Sequence, residues 1–303
     1  MKNRHKGILS AMISAIIFGS MPLMAKLTYN YKCNSISLVF YRFLFILPFL
    51  YLLVRRKEEE SLKLTKKELK KILILSLVGY APTPLFLFTA YSFIPSGLAT
   101  TINFLFPVFV MLGAIIIYKE KPSKIKMVSV LLCFLGIITF YEKDGAIAPI
   151  GVFLAFLSSI TYAFYNLYLD KSGLKDMYPF KLTFYLCGIS SIVVLIFSLI
   201  TGYFTVDIEP LGWLIILILS LSISLGGTCL FQVGVKNIGA QSTAILSTLE
   251  PITSIVLGML IFKESYGLKT FLGICLILIA VILVSVFDKD TLVEEGDHGY
   301  IDR

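Results

Sequence analysis

The sequence predicts an all-α integral membrane protein of ten transmembrane helices, arranged as two inverted five-helix repeats. Three observations lead there: the composition, the length of the apolar runs, and a duplication at constant offset. Of 303 residues, 57% are hydrophobic and 15% charged, against roughly 45–50% and about 25% in soluble domains. So little polar surface cannot cover an aqueous globule, and the solvent is therefore lipid. There every backbone N–H and C=O must be satisfied internally, by helices or by a closed barrel. The apolar runs are about 20 residues long, enough for a helix to cross ~30 Å of hydrocarbon. The alternating segments of about 10 residues that build a barrel do not occur.

In chain order the spans are 7–27, 35–54, 72–92, 96–118, 124–141, 148–169, 179–201, 212–235, 240–262 and 267–287. The first follows Lys2, Arg4 and Lys6 as a signal peptide would, but no small-residue cleavage site follows and its run is as long as a full span, so it is retained. Lys and Arg set the orientation. With the N-terminus inside, inner segments hold 21 of the 27 Lys and Arg, outer segments hold Lys26, Lys32, Lys143, Lys263 and Lys269, and Arg42 lies within a span. That asymmetry places both termini in the cytoplasm. The formal charge of +8 thus resides in cytoplasmic connections such as Arg55–Lys71 and does not imply nucleic acid. Compact loops and a Lys- and Ile-rich composition suit a multi-pass protein of a bacterial plasma membrane.

Five scattered cysteines form no CxxC, and the two histidines, His5 and His298, lie near the termini. Neither a metal site nor a cofactor site is expected, and no HExxH, no GxGxxG after a strand and no clustered carboxylates point to an enzyme.

The duplication has a constant offset of 144 residues: Pro107 maps to Pro251, Lys119-Glu120 to Lys263-Glu264, Tyr41 to Tyr185, Ile94 to Ile238 and Leu105 to Leu249. Small residues every fourth position in the first span (Gly7, Ala11, Ala15, Gly19) recur as Gly151, Ala155, Ser159 and Ala163. This spacing lets helix backbones approach closely in lipid. The repeats are read as 1–147 and 148–290, followed by a short acidic tail, 291–303. Five spans is an odd number, so the second copy enters the membrane inverted, the arrangement that lets one site face two sides in turn.

Taken with the first span ending near Gly19-Ser20-Met21-Pro22, the Arg of Tyr41-Arg42-Phe43, and a Pro-containing span closing on Lys-Glu in each half, these repeats resemble the EamA-type branch of the drug/metabolite transporter superfamily. The resemblance covers roughly 7–287. It implies a ten-helix fold with a central cavity between the halves, both termini cytoplasmic, and transport of metabolites, amino acids or related solutes. It does not imply a particular substrate.

Carrier sites lie near the midplane, at helices broken in corresponding positions of the two repeats. The third span holds Gly79-Tyr80-Ala81-Pro82-Thr83-Pro84, and the equivalents of Pro82 and Thr83 are Gly226 and Gly227. Pro82 and Pro84 free the carbonyls of Val78 and Tyr80, and Pro107 and Pro251 free those of Asn103 and Ser247. Neighbours can re-satisfy such kinks, but the paired recurrence favours cavity lining. Arg42 lies roughly 10 Å from the outer end of its span and Glu250 roughly 15 Å from the inner end of its own, at helical rise. Charges at such depth cost at least ~2.5 kcal/mol on insertion scales and face a cavity or a partner. Their repeat equivalents are Leu186 and Phe106, so the fold itself requires neither.

Arg42 is either a fork for a carboxylate or phosphate or an interfacial, snorkelling or structural cation. Glu250 is either a proton- or cation-binding carboxylate, with protons as the coupling ion, or a structural group, paired with Arg42 in a salt bridge or acting as a capping acceptor at the helix break. Polar companions expected at the substrate site are Ser20, Tyr41, Tyr80, Asn103, Asn166 and Gln232, with Tyr91 and Tyr162. Abundant Tyr and Phe would suit an aromatic solute, although Phe more commonly faces lipid or core. Lys26 and its equivalent Asp170 read as interfacial anchors or gates, and the Lys-Glu pairs as structural. The alternatives to a carrier are a membrane-embedded sensor or receptor and a channel. Small-residue faces leave monomer and homodimer equally open.

Overall fold

The computed structural model describes residues 2–57, 62–119, 124–139, 148–174, 177–228, 230–231, 233–234, 237–238 and 246–287. Among them every regular element is helical. In chain order these are α1 (Lys2–Tyr29), α2 (Ser35–Arg56), α3 (Lys66–Ile74) running through a π-helical turn (Leu75–Tyr80) into α4 (Pro82–Ala90), then α5 (Ser96–Asn103) and α6 (Phe106–Tyr118). They continue as α7 (Lys124–Thr139), α8 (Pro149–Lys171), α9 (Pro179–Thr201), α10 (Pro210–Leu221) with a second π-helical turn (Ser222–Gly227), α11 (Leu249–Phe262) and α12 (Leu268–Phe287). Seven continuous segments are long and apolar enough to cross a membrane, and three shorter apolar helices accompany them. Parts of the expected spans 124–141, 212–235 and 240–262, and the tail 291–303, lie outside the described residues.

Helix ends follow local chemistry. The Asn34 side chain accepts from the Ser37 N–H at 2.8 Å to start α2, and Thr65 with Glu68 forms a capping box for α3. Pro149, Pro179 and Pro210 open α8, α9 and α10, where a missing N–H costs nothing. The helices α6 and α11, equivalent by the 144-residue offset, both end on a lysine with left-handed backbone, Lys119 (φ 57°) and Lys263 (φ 53°).

Each repeat sends its first helix into the other. α1 packs on α11 and α10, and α8 packs on α4, α5 and α6. Two further contacts join equivalent helices, α2 with α9 and α7 with α12. The glycines show how closely the halves match. A Cβ on Gly7 would meet Asn237 Cβ at 2.7 Å and Ile238 Cγ2 at 2.8 Å. A Cβ on Gly151 would meet Phe93 Cβ at 2.9 Å and Ile94 Cγ2 at 2.6 Å. Only glycine fits at either place, and the two contacts are one contact with the repeats exchanged. They lie at opposite ends of the molecule. Gly7 is near the start of α1, while Phe93 shares a cavity with Lys26 near its end, about 28 Å away at helical rise.

Several buried hydroxyls close on their own helices: Thr100 Oγ1 donates to Ser96 O, Thr101 Oγ1 to Gly97 O, and Ser158 Oγ to Ala155 O. Large apolar residues such as Ile116, Ile200, Leu260 and Leu268 are exposed on the outside. That outer surface suits hydrocarbon.

Candidate functional site

The site is built around four helix interruptions. Between α5 and α6 the chain leaves the helix at Phe104–Leu105, and before α11 it does so at Ser247–Thr248. The two overlap across the offset, Phe104 corresponding to Thr248, and each lies just ahead of the matching proline, Pro107 or Pro251. The carbonyl of Ser247, deprived of its helical partner by Pro251, accepts instead from the Glu250 N–H at 2.9 Å. On the other side the Asn103 side chain accepts from Ser158 Oγ at 2.7 Å.

The other two interruptions are the π-helical turns. Ahead of Pro82 and Pro84 the Ala81 N–H reaches back five residues to Ser76 O at 2.9 Å, and Thr83 Oγ1 donates to Gly79 O at 2.7 Å. In the second repeat the turn ends on Gly226 and Gly227, where Thr228 Oγ1 donates to Ile223 O and Ser14 Oγ to Gly227 O. The prolines and glycines therefore mark wide turns rather than open breaks, and their neighbours take up several of the freed groups.

Arg42 lies among the first of these elements. It is half-buried on α2, with its guanidinium 5.7 Å from the Phe43 ring centroid and 5.5 Å from that of Phe88. Nη1 faces Met21 Sδ at 3.7 Å, and Nε is buried with no hydrogen-bond partner among the described residues. Tyr80 stacks on Phe43 at 5.3 Å, with its hydroxyl 3.6 Å from Cys187 Sγ. Glu250 sits in the first turn of α11, where the helix N-terminus favours a carboxylate. A Cβ on Gly19 would meet its carbonyl oxygen at 2.5 Å, so α1 crosses α11 directly at this residue.

Arg42 and Glu250 do not form the salt bridge considered from their depths. The ion pairs among the described residues are Lys26–Glu264 and Lys32–Asp207. Arg42 is turned toward Met21 and two aromatic faces, while the Glu250 backbone carbonyl packs against Gly19 of α1. Tyr162 packs edge-on against Phe106, the repeat equivalent of Glu250, at 4.4 Å.

The remaining expected residues divide. Asn166 donates to Tyr162 O on its own helix, and half-buried Ser20 donates to Ile17 O. Tyr41 is not brought to this group. Its hydroxyl donates to Thr205 O and its ring meets Trp213 at 4.6 Å, so it fastens the α9–α10 connection. Gln232 lies outside the described residues.

A cavity of about 670 Å³ opens near the end of α1 that carries Lys26, with Lys26, Tyr29 and Tyr91 in its lining. The Tyr91 hydroxyl lies 3.4 Å from Thr100 Oγ1, which lies 3.2 Å from Ser254 Oγ, one helical turn beyond Glu250. Polar groups thus lead from this vestibule toward the deep carboxylate. At its edge the Lys26–Glu264 pair, at 2.6 Å, ties a residue that reads from sequence as an interfacial anchor or gate to one that reads as part of a structural helix-end pair. The signal that marks it is charge inequality across the offset, Lys26 against Asp170.

Comparison with known proteins agrees with this architecture. A model of the EamA-like transporter family matches twice, at residues 5–141 and 149–286, two matches that begin 144 residues apart. An uncharacterized transporter of Synechocystis sp. is 27% identical over 207 residues, covering 66% of this chain and 61% of that protein. The chain therefore spans less than two thirds of that relative's length. An uncharacterized inner membrane transporter of Salmonella typhimurium is 24% identical over 301 residues, covering 94% of this chain and 97% of that protein. A crystal structure at 12% identity superimposes with a TM-score of 0.64 over 92% of this chain and 97% of the other, which speaks for the fold alone. Matched over both halves, this multi-pass membrane protein belongs to the EamA-like transporter family.

Proposed function

We propose that the protein is a secondary transporter that moves small metabolites, such as amino acids or related solutes, across the plasma membrane by alternating access. In this reading ten helices form two inverted five-helix repeats, 1–147 and 148–290, with an acidic tail at 291–303 and both termini cytoplasmic. The exchanged contacts of Gly7 and Gly151 at opposite ends of the molecule support the inversion. The inner-membrane name of the Salmonella typhimurium relative supports the location.

The observation that carries the proposal is the pairing of interruptions. Helices give way at Phe104–Leu105 and Ser247–Thr248, and again at the two π-helical turns. Arg42 and Glu250 lie among them without contacting each other. A carrier needs such a site at the seam of its repeats, and an ionisable residue within the membrane marks a functional site by default. Arg42 presents a fork for an anionic group and Glu250 a carboxylate for a cationic group or a coupling proton, with Tyr80, Asn103, Asn166 and Ser20 nearby.

The test is counterflow in proteoliposomes across amino acids, nucleosides, sugars and organic acids. Saturable uptake accelerated by solute on the far side is expected for one class. Uptake that never saturates would make the protein a channel, and binding without flux would make it a sensor.

A further inference from the structure

The Lys26–Glu264 pair is the centre of a larger cluster. Glu264 Oε1 accepts from Lys26 Nζ at 2.6 Å, from the Ser96 N–H at 2.9 Å and from Ser96 Oγ at 2.9 Å. Glu264 Oε2 accepts from the Tyr266 hydroxyl at 2.8 Å. One carboxylate thereby joins the end of α1, the start of α5 and the α11–α12 connection. Glu264 is 7% exposed and Lys26 19%, so solvent weakens the pair little.

Two glycines make room for it. A Cβ on Gly97 would meet the Tyr266 hydroxyl at 2.6 Å, and one on Gly258 would strike the Glu264 carboxylate. Below the cluster, between α5 and α11, lie Thr100 and Ser254, both buried, and then Glu250. On one side of the cluster is the vestibule that Lys26 lines. On the other is the seam leading to the deep carboxylate.

None of the side-chain partnerships can recur at the opposite end of the molecule. The residues equivalent to Lys26, Glu264, Ser96 and Tyr266 are Asp170, Glu120, Ala240 and Pro122. Two carboxylates replace an ion pair, and the two hydroxyl donors are gone.

The geometry points to the Lys26–Glu264–Ser96–Tyr266 cluster as a one-sided gate, which closes the α5–α11 seam to the vestibule and must part before solute reaches Glu250 from that side. This inference rests on the alternating-access reading, under which that side is the outer one. A buried carboxylate deprived of its cation strongly disfavours the closed arrangement, so removing either partner leaves the gate open for a larger share of the time.

The test uses Ser254→Cys as a reporter beneath the gate. A membrane-impermeant maleimide is applied to intact cells and to inside-out vesicles, and labelling of the parent protein is subtracted. With the pair intact the reporter labels slowly from the vestibule side. Lys26→Ala and Glu264→Gln are each expected to speed that labelling by about tenfold, the change that ~1.4 kcal/mol produces. The exchanged pair Lys26→Glu with Glu264→Lys is expected to slow it again. Single variants that remain folded, by thermal melting in detergent, yet label at the parental rate would overturn the gate.

Should the single variants fail to fold, a cleavable thiol cross-linker bridging Lys26→Cys and Glu264→Cys supplies a second arm. It is expected to stop flux until cleaved, and full flux through the cross-linked protein overturns the proposal. Labelling does not depend on flux, so the two readings can fail separately. A reporter that responds in a protein moving no solute keeps the gate and sinks the carrier. Saturable counterflow with unresponsive labelling does the reverse.

Discussion

Gly7 and Gly151 make the same contact at opposite ends of the molecule, and Lys119 and Lys263 end equivalent helices in the same left-handed conformation. Arg42 and Glu250, in contrast, stand where the other repeat has Leu186 and Phe106, and Lys26 stands where it has Asp170. The two repeats therefore agree where the backbone must bend or approach and disagree where charge enters the membrane. An in-span charge costs ~2.5–3.5 kcal/mol on insertion scales, while a helix crossing over glycine is favoured by close packing. What is duplicated is explained by folding. What stands in one copy alone needs another reason, and transport is the reason proposed here.

The sharpest way to break this comparison is to make the repeats alike. Arg42→Leu and Glu250→Phe each install the residue that the other repeat already tolerates. Each is expected to leave the melting temperature in detergent close to that of the parent, while lowering counterflow by about 100-fold, the scale of losing a charge-assisted contact of ~2.7 kcal/mol. Flux that survives both substitutions would return the two charges to structural roles. The converse change targets what the repeats share. Gly7→Leu and Gly151→Leu force side chains into the same contact from opposite ends, and overpacking costs ~1–3 kcal/mol. Equal losses of stability are expected from denaturant titration of the two variants. Strongly unequal losses would mean that one half carries the fold.

Much of this contrast was legible in the sequence, for particular reasons. The span limits 35–54 and 179–201 fall close to α2 and α9, because bilayer thickness sets helix length and polar residues mark the ends. The interruptions at Phe104–Leu105 and Ser247–Thr248 were foreshadowed by Pro107 and Pro251, since proline removes a donor wherever it sits. Their form was not. Prolines at 82 and 84 predict free carbonyls at Val78 and Tyr80, but the helix widens into a π turn and Thr83 caps Gly79 O instead. Direction was the larger gap. Depth along a helix placed Arg42 and Glu250 within about 5 Å of one level but says nothing of the angle around the axis, so the pairing considered for them does not occur. Tyr41 likewise turns toward Trp213 while its neighbour Arg42 turns inward. The Lys26–Glu264 pair spans 238 residues of chain, and no local pattern announces it.

The smallest expected effect concerns how that pair responds to acid. Burial by itself pushes the Glu264 carboxyl up, but Lys26, the Ser96 N–H and the Tyr266 hydroxyl together hold it below its usual value of 4.5. The titratable groups around it are Lys26 on α1, Tyr266 on its own connection and Tyr91 from the α4–α5 connection. Glu264 is the carboxylate of the cluster, and its protonation removes the cluster's negative charge. Because its value in the closed arrangement is depressed, the stabilisation it gives is fully present above the ordinary carboxylate range. It is lost only as pH falls through the depressed value. Maleimide reacts with the thiolate, so each rate is read as a ratio, Glu264→Gln over the intact pair, both carrying Ser254→Cys; that ratio should change less than about twofold between pH 8 and pH 6 and fall toward one only in acid below 4.5. Glu264→Gln serves as the reference because its gate has no carboxylate to protonate, so its own pH dependence is that of the reporter thiolate alone. A reporter that opens steeply between pH 6 and 7 would assign the titration to a group other than Glu264, and would separate the gate from the ion pair that is argued to hold it.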